Sequence, residues 1–211
     1  MSDEVRVLRF LPATVAEGPG RRAALWVQGC SIRCPGCFNP HSWPAAGGRF
    51  TPWPELAERV RTAAAVHGVE GLTLLGGEPF DQAGPLAALA EAVQAEGLSV
   101  MTFTGHVLED LRRAGRDDWD RLLGATDLLV DGPYLAQRPE PRRPWIGSDN
   151  QRFWFLTERY ADLAAELDAL PNRLEIRISP GGDVAVNGFA RPDVLEDLLT
   201  PDLARLRRRR W

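Results

Sequence analysis

Short apolar runs alternate along the chain with longer stretches of helical spacing. Residues 5–10 and 24–27 read as strands. Residues 53–66 place apolar positions at helical intervals (Leu56, Val60, Ala63, Ala64), and Pro54 falls in the first turn, where proline is tolerated. Residues 72–75 form a buried-strand pattern that ends in Gly76-Gly77. A helix is predicted over 85–96, closed by Gly97. A strand over 98–103 ends in Thr104-Gly105, a helix runs from about 107 to 114, and a strand over 127–130 ends in Asp131-Gly132-Pro133. Residues 137–150, rich in proline and arginine, are predicted to be a surface loop. Then come a strand at 153–156, a helix at 161–170, a strand pair at 174–178 and 184–186, and a last helix at 192–199.

Strands and helices that alternate with connections of a few residues predict parallel β–α units, hence an α/β fold with a mostly parallel sheet. In such sheets ligands sit at the carboxyl ends of the strands. Four successive strand ends carry Cys30, Gly76-Gly77-Glu78, Thr104-Gly105 and Asp131-Gly132, which predicts one shared pocket. No repeat or low-complexity linker divides the chain, so residues 1–204 are expected to form one domain, followed by a basic tail over 205–211. That tail is read as a solvated end, with contact to an acidic partner or nucleic acid as the alternative.

Composition narrows the functional classes. The 211 residues carry a net charge of −4, which gives no general pull toward nucleic acid. No apolar run approaches the roughly 20 residues that span a bilayer, so no membrane partner is expected. The start, Met1-Ser2-Asp3-Glu4, lacks the basic and then apolar pattern of a secretory signal, and a cytoplasmic location is expected. The 3 cysteines are an odd number and lie within eight positions, at 30, 34 and 37, which makes a poor disulfide framework.

Thiolates at this spacing suit iron–sulfur or zinc. Three can hold three irons of a 4Fe–4S cube and leave the fourth iron without a protein ligand, open to substrate or cofactor. A structural Cys3His zinc site is the alternative, because His41 follows Cys37 by four residues. A metal-free thiol cluster is disfavoured by Pro35 and Gly36, which keep the segment looped. A pure electron-transfer cluster would take a fourth cysteine, and the chain has none.

The Cys-x3-Cys-x2-Cys spacing after a first barrel strand resembles the signature of radical S-adenosylmethionine (SAM) enzymes. The stretch from Gln28 to Trp43 resembles the activating enzymes of glycyl radical proteins, above all the anaerobic ribonucleoside-triphosphate reductase activases. The likeness continues through Gly76-Gly77-Glu78-Pro79-Phe80, Thr104-Gly105, the segment 127–134 and the segment 147–152. It implies a partial (β/α)6-type TIM barrel with a radical SAM core. It also implies a 4Fe–4S cluster on Cys30, Cys34 and Cys37, with SAM chelated to the open iron. One electron from the reduced cluster would split SAM into methionine and a 5′-deoxyadenosyl radical, which would abstract a hydrogen atom, most naturally from a glycine of a glycyl radical enzyme. The electron would come from a flavodoxin- or ferredoxin-like donor.

On that resemblance Gly76, Gly77 and Glu78 are expected to receive the SAM ammonium, the bland alternative being an ordinary strand–helix turn. Gly36 and Phe38 flank the third cysteine and are expected beside the adenine. Thr104 and Asp131 are expected near the SAM carboxylate or ribose, with loop capping as the alternative. Asn39 would bond near the cluster or cap its turn. Ser148, Asn150 and Gln151 would face substrate or only make the loop polar. Hydrogen abstraction needs no general base, so His41, His67 and His106 receive no role. Two further functions stay open: radical chemistry on a ribosomal peptide or small molecule in a natural-product pathway, and a non-catalytic zinc or iron–sulfur module.

Overall fold

The computed structural model describes residues 3–182 and 184–189. The strands are β1 (Glu4–Thr14), β2 (Arg22–Val27), β3 (Arg49–Pro52), β4 (Gly71–Gly76), β5 (Ser99–Phe103), β6 (Leu128–Asp131), β7 (Arg152–Phe155), β8 (Leu174–Ile178) and β9 (Val184–Gly188). The α-helices are α1 (Trp53–His67), α2 (Ala83–Ala95), α3 (Leu108–Arg113), α4 (Asp117–Gly124) and α5 (Leu163–Glu166). One seven-stranded sheet has the order β3-β1-β2-β4-β5-β6-β7, and β8 and β9 form a separate antiparallel hairpin. The strands β2, β4, β5 and β6 pair in parallel. On either side β1 and β7 run against them, and β3 pairs antiparallel with β1 at the outer edge. The sheet is therefore open and mostly parallel, as the sequence predicts.

The central strands are buried on both faces and read as nearly continuous apolar runs. Side chains alternate between the faces. Ala23, Leu25 and Val27 of β2 join Leu72 and Leu74 of β4 in the core under the helices. Ala24, Trp26 and Leu75 point the other way, to the inner, concave face. The α1 helix starts with proline in its first turn and ends at Gly68 (φ 63°), whose N–H donates to the Ala64 carbonyl.

Several boundaries differ from expectation. The 161–170 segment is broken: only residues 163–166 are α-helical, between short 3-10 turns. The 137–150 segment is not wholly superficial, because Trp145, Ile146 and Ser148 are buried, the first two packing on Met101 and Val130. The predicted helix at 192–199 and the tail at 205–211 lie outside the described residues. Among the described residues no helix is long and apolar enough to cross a membrane.

Candidate active site

The cysteine loop leaves the carboxyl end of β2 and is folded back by its own backbone. The Gly29 N–H donates to the Ser42 carbonyl (2.7 Å), and the Cys30 N–H to the Trp43 carbonyl (3.2 Å). The Cys37 N–H closes a turn on the Cys34 carbonyl (3.1 Å). Arg33 (φ 54°) and Gly36 (φ 80°) take left-handed conformations inside it. Gly36 is needed on two counts, since a Cβ there would also stand 2.9 Å from the Ala136 side chain.

Two residues from the β4 turn steady this loop. Asp81 accepts both the N–H (2.7 Å) and the hydroxyl (2.8 Å) of Ser31. Gln82 donates to the Gln28 carbonyl (3.0 Å). Within the loop, Ser42 donates to the Asn39 carbonyl (2.7 Å), and the Asn39 N–H points at the Cys37 sulfur (3.4 Å). The Arg33 N–H points at the Cys30 sulfur at the same distance.

All three thiols are half-buried and line one cavity of about 760 Å³, within the usual range for a small-molecule site. Burial raises the Cys30 and Cys34 thiols; N–H groups of Arg33 and Ile32 oppose this at Cys30, and that of Tyr134 at Cys34. Gly76, Gly77, Glu78, Thr104, Gly105 and Gly132 line the same space. Four strand ends thus converge, as the sequence predicts.

The glycine turn owes its shape to the neighbouring strand. A Cβ on Gly77 would lie 2.0 Å from the Gly29 carbonyl oxygen, and one on Gly76 2.7 Å from the Trp26 Cα. The Gly77 N–H donates to Val27 and the Glu78 N–H to Gly29. Glu78 itself is 1% exposed. Its oxygens receive the Phe80 N–H, the Thr104 hydroxyl and the Gly105 N–H, each at 2.9 Å. Burial lifts its pKa to about 7 despite these donors.

The family model of the 4Fe-4S single cluster domain matches residues 16–154. The anaerobic ribonucleoside-triphosphate reductase-activating protein of Enterobacteria phage T4 is 30% identical over 155 residues, covering 71% of this chain and 94% of that protein. The protein of the same name from Vibrio cholerae is 32% identical over 151 residues, covering 68% and 93%. The chain belongs to this family. It is a radical SAM enzyme of the activating type.

Cys30, Cys34 and Cys37 are the only thiols in the sequence, so no fourth is available. Among the described residues no three Cys, His, Asp or Glu side chains converge on a single-ion position. A tetrahedral zinc with bonds of about 2.3 Å to sulfur needs that convergence. A cube does not, because each thiolate takes its own corner. Backbone N–H groups already aimed at two of the sulfurs suit a cluster, whose potential responds to such bonds. Trp43 lines the cavity with its indole N–H buried and without a partner among the described residues, a donor left for a sulfide or a ligand. The residues present therefore fit the cluster. His41 is exposed and stands outside the lining.

Other expected residues fall differently. Phe38 is 62% exposed, lines the cavity and packs on Tyr134 and Phe189 (centroids 5.2 and 5.4 Å). Asp131 is not brought into the cavity. It is fully buried, takes the Leu108 N–H (2.7 Å) and pairs with Arg152, because a buried carboxylate needs a local partner. Ser148 and Asn150 stand outside the lining and brace their own loop, Ser148 accepting from Leu135 and Asn150 donating to Pro133, whereas Gln151 accepts from Gly147 and lines the cavity. His106 packs on Trp119 outside the lining, and burial lowers its pKa. Asp81, which the sequence marks with Glu78 only as a carboxylate near a helix start, is the residue that steadies the cysteine loop. Sequence reasoning passed over Arg9 and Glu17, which line the cavity from the first strand and the turn after it.

Proposed function

We propose that the chain uses a 4Fe–4S cluster on Cys30, Cys34 and Cys37 to cleave SAM and to take a hydrogen atom from a glycine of a glycyl radical enzyme, such as an anaerobic ribonucleotide reductase. The observation that carries this reading is the shared cavity: three thiols and the Gly76–Glu78 turn face one space at the carboxyl ends of parallel strands. When bound, the cluster supplies one electron to the SAM sulfonium, which breaks into methionine and a 5′-deoxyadenosyl radical.

The chain's own residues orient and enclose. Glu78 locks Gly77 against Thr104 and Gly105, so the backbone of this turn, and not the carboxylate, is presented to the SAM amino group. Phe38, next to the third thiol, lines the cavity and would lie beside the adenine, while Gly36 stands outside the lining and shapes the loop. Thr104 stands at the rim with its hydroxyl turned to Glu78. Asp131 acts through Arg152 and Leu108, by holding the β6 end. Three cysteines make one cluster, so the electron comes from outside, from a flavodoxin- or ferredoxin-like protein, in a cytoplasmic setting that keeps the thiols reduced.

A second reading has one observation in its favour. The β8–β9 hairpin lies beyond the residues that the family model matches, yet Leu174 and Val186 of it line the cavity. An added wall suits a short peptide or small molecule better than a large folded partner.

Anaerobic reconstitution with iron and sulfide, followed by a 5′-deoxyadenosine assay with reductant, tests the reading. The parent protein forms product, and Cys30→Ala, Cys34→Ala and Cys37→Ala each form none. Product from any of the three would remove that thiol from the cluster. With an anaerobic ribonucleotide reductase added, a glycyl radical signal favours the first reading; product without that signal favours the second.

A further inference from the structure

Among the described residues Arg9 makes no ion pair. Its side chain lies over the Trp26 ring, 4.9 Å from the centroid, and lines the cavity that holds the cysteines. Among the described residues no carboxylate comes within ion-pair distance of it, and no acceptor takes its N–H groups. Burial and the nearby Arg177 both push its pKa down, and Glu17 offsets this only in part. Arg177, by contrast, is fully committed: it donates to the Ala13 carbonyl (2.6 Å), to Glu175 (2.7 Å) and to Asn187 (3.1 Å). A half-buried guanidinium with no partner is poor structural material, because an apolar side chain would cost less there.

Its place in the fold separates it from the cluster end. Arg9 pairs with Trp26, and both side chains serve the inner face. Glu17 lies in the β1–β2 connection, beyond the Thr14–Arg22 pair at the opposite end of the strand from Cys30. The Gly188 N–H of the hairpin donates to Glu17 (2.8 Å), so the hairpin closes the far side of this region. Glu17 is also bonded by the Asn187 side chain, and it stays protonated up to about 7, since burial opposes its charge. It therefore does not neutralise Arg9 at moderately acid pH.

We propose that Arg9, seated on Trp26 beside Glu17, is a subsite for a carboxylate carried by the molecule that gives up its hydrogen atom, distinct from the place of SAM's own carboxylate. The inference rests on the radical SAM reading above and narrows its substrate class to glycine-containing acids or peptides with an acidic group near the reacting carbon. A carboxylate matches the guanidinium fork with two parallel hydrogen bonds, which an amide cannot do. The inner-face position favours the hydrogen donor over SAM, whose methionine end belongs with the thiols and the glycine turn at the other end.

The test uses cluster-reconstituted protein with 15N-labelled arginine. N-acetylglycinate, N-acetylglycinamide and methionine are titrated in turn while the Arg9 Nε–H resonance is followed. That resonance is assigned by its loss in Arg9→Gln, or in Arg9→Lys if the first variant does not fold. The expected result is a saturable shift with N-acetylglycinate, at least about tenfold weaker with the amide, and unchanged when methionine is already bound. Arg9→Lys, which keeps the charge and loses the fork, is expected to bind the acid about threefold more weakly by calorimetry. No shift with the acid, an equal shift with the amide, or displacement of the acid by methionine overturns the proposal. SAM cleavage is assayed on the same preparations. Intact cleavage with no preference for the acid sinks the subsite alone, whereas absent cleavage sinks the reading beneath it.

Discussion

Glu78 and Glu17 line the same cavity, both are buried, and burial holds both near a pKa of 7. Their surroundings nevertheless differ. Glu78 is gripped by three donors from residues 80, 104 and 105, all at adjacent strand ends. Glu17 is held only from the hairpin, by the Gly188 N–H, 171 positions away, and by the Asn187 side chain. The same titration therefore marks two kinds of site. At the cluster end the carboxylate is a fastener with nothing to spare. At the hairpin end its partners come from one docked element, beside Arg9, which makes no ion pair among the described residues. Counting donors, and not comparing pKa values, separates the structural acid from the one available to a ligand.

The sharpest way to break the contrast is at the fastened end. In Gly77→Ala the new methyl would meet the Gly29 carbonyl at 2.0 Å, and backbone on both sides leaves no flexible atom to yield. Overpacking of this kind costs about 3 kcal/mol or more. Urea unfolding should show that loss, together with weaker iron retention, because Gly29 leads directly into Cys30. Unchanged stability would mean that the turn is loose and that Glu78 does not fasten it.

The next effect separates the two acids by pH. In the unfolded chain the Glu17 carboxyl ionises near 4.5, and in the fold it keeps its proton to about 7. Between those values the native state carries the extra proton, so this group's stabilising share falls as pH rises and is gone above about 7. The full span is on the order of 3 kcal/mol. Glu17→Gln should remove about half of the slope in that part of the stability–pH curve, Glu78 supplying the rest, and leave the variant the more stable protein at pH 8. An undiminished slope would assign the titration elsewhere.

At pH 5 both carboxyls are protonated in the fold, and charge drops out of the comparison. Glu78→Gln then places an amide nitrogen where two backbone N–H groups and a hydroxyl need acceptors, which strands at least one buried donor and costs about 2 kcal/mol. Glu17→Gln keeps an oxygen for the Gly188 N–H and an amide group for the Asn187 side chain, and should cost under about 1 kcal/mol. Equal losses would erase the distinction between fastened and available acid.

What the sequence revealed follows the same division. The cluster end was legible because its parts follow strand after strand: Cys30, Gly76, Thr104 and Gly132 each close a run whose apolar character announces it. The order of the parallel strands then brings those ends together without further information. The α4 helix was missed because its three aspartates in the first turn, a start signal, directly follow Gly115-Arg116 after another short helix. The β3 strand was missed because it is four residues long, mostly exposed and ends in proline. The carboxylate of Glu78 was read as facing a ligand, since burial and partner count do not show in a Gly-Gly-Glu string. Arg9 and Glu17 stood in ordinary strand and turn sequence, and only the docking of residues 174–188, held by Glu175 on Thr14 and Val15, makes them part of a cavity.

The smallest expected effect tests the grip on Glu78 one bond at a time. The Thr104 hydroxyl donates to Glu78 (2.9 Å) and also accepts the His106 N–H (3.1 Å), so it couples the glutamate to the start of the next loop. Thr104→Val keeps the shape and removes both bonds, for a loss of about 1 to 2 kcal/mol. Thr104→Ser keeps the hydroxyl and should recover most of that loss in thermal unfolding. The valine variant should also ease hydrogen exchange at the Gly105 and His106 amides, which rely on Glu78 and Thr104 as acceptors, while the Gly188 amide at the hairpin end stays as protected as before. Exchange rising equally at both ends would mean that the two regions open as one unit, and the fastener would then be a property of the whole cavity instead of its cluster end.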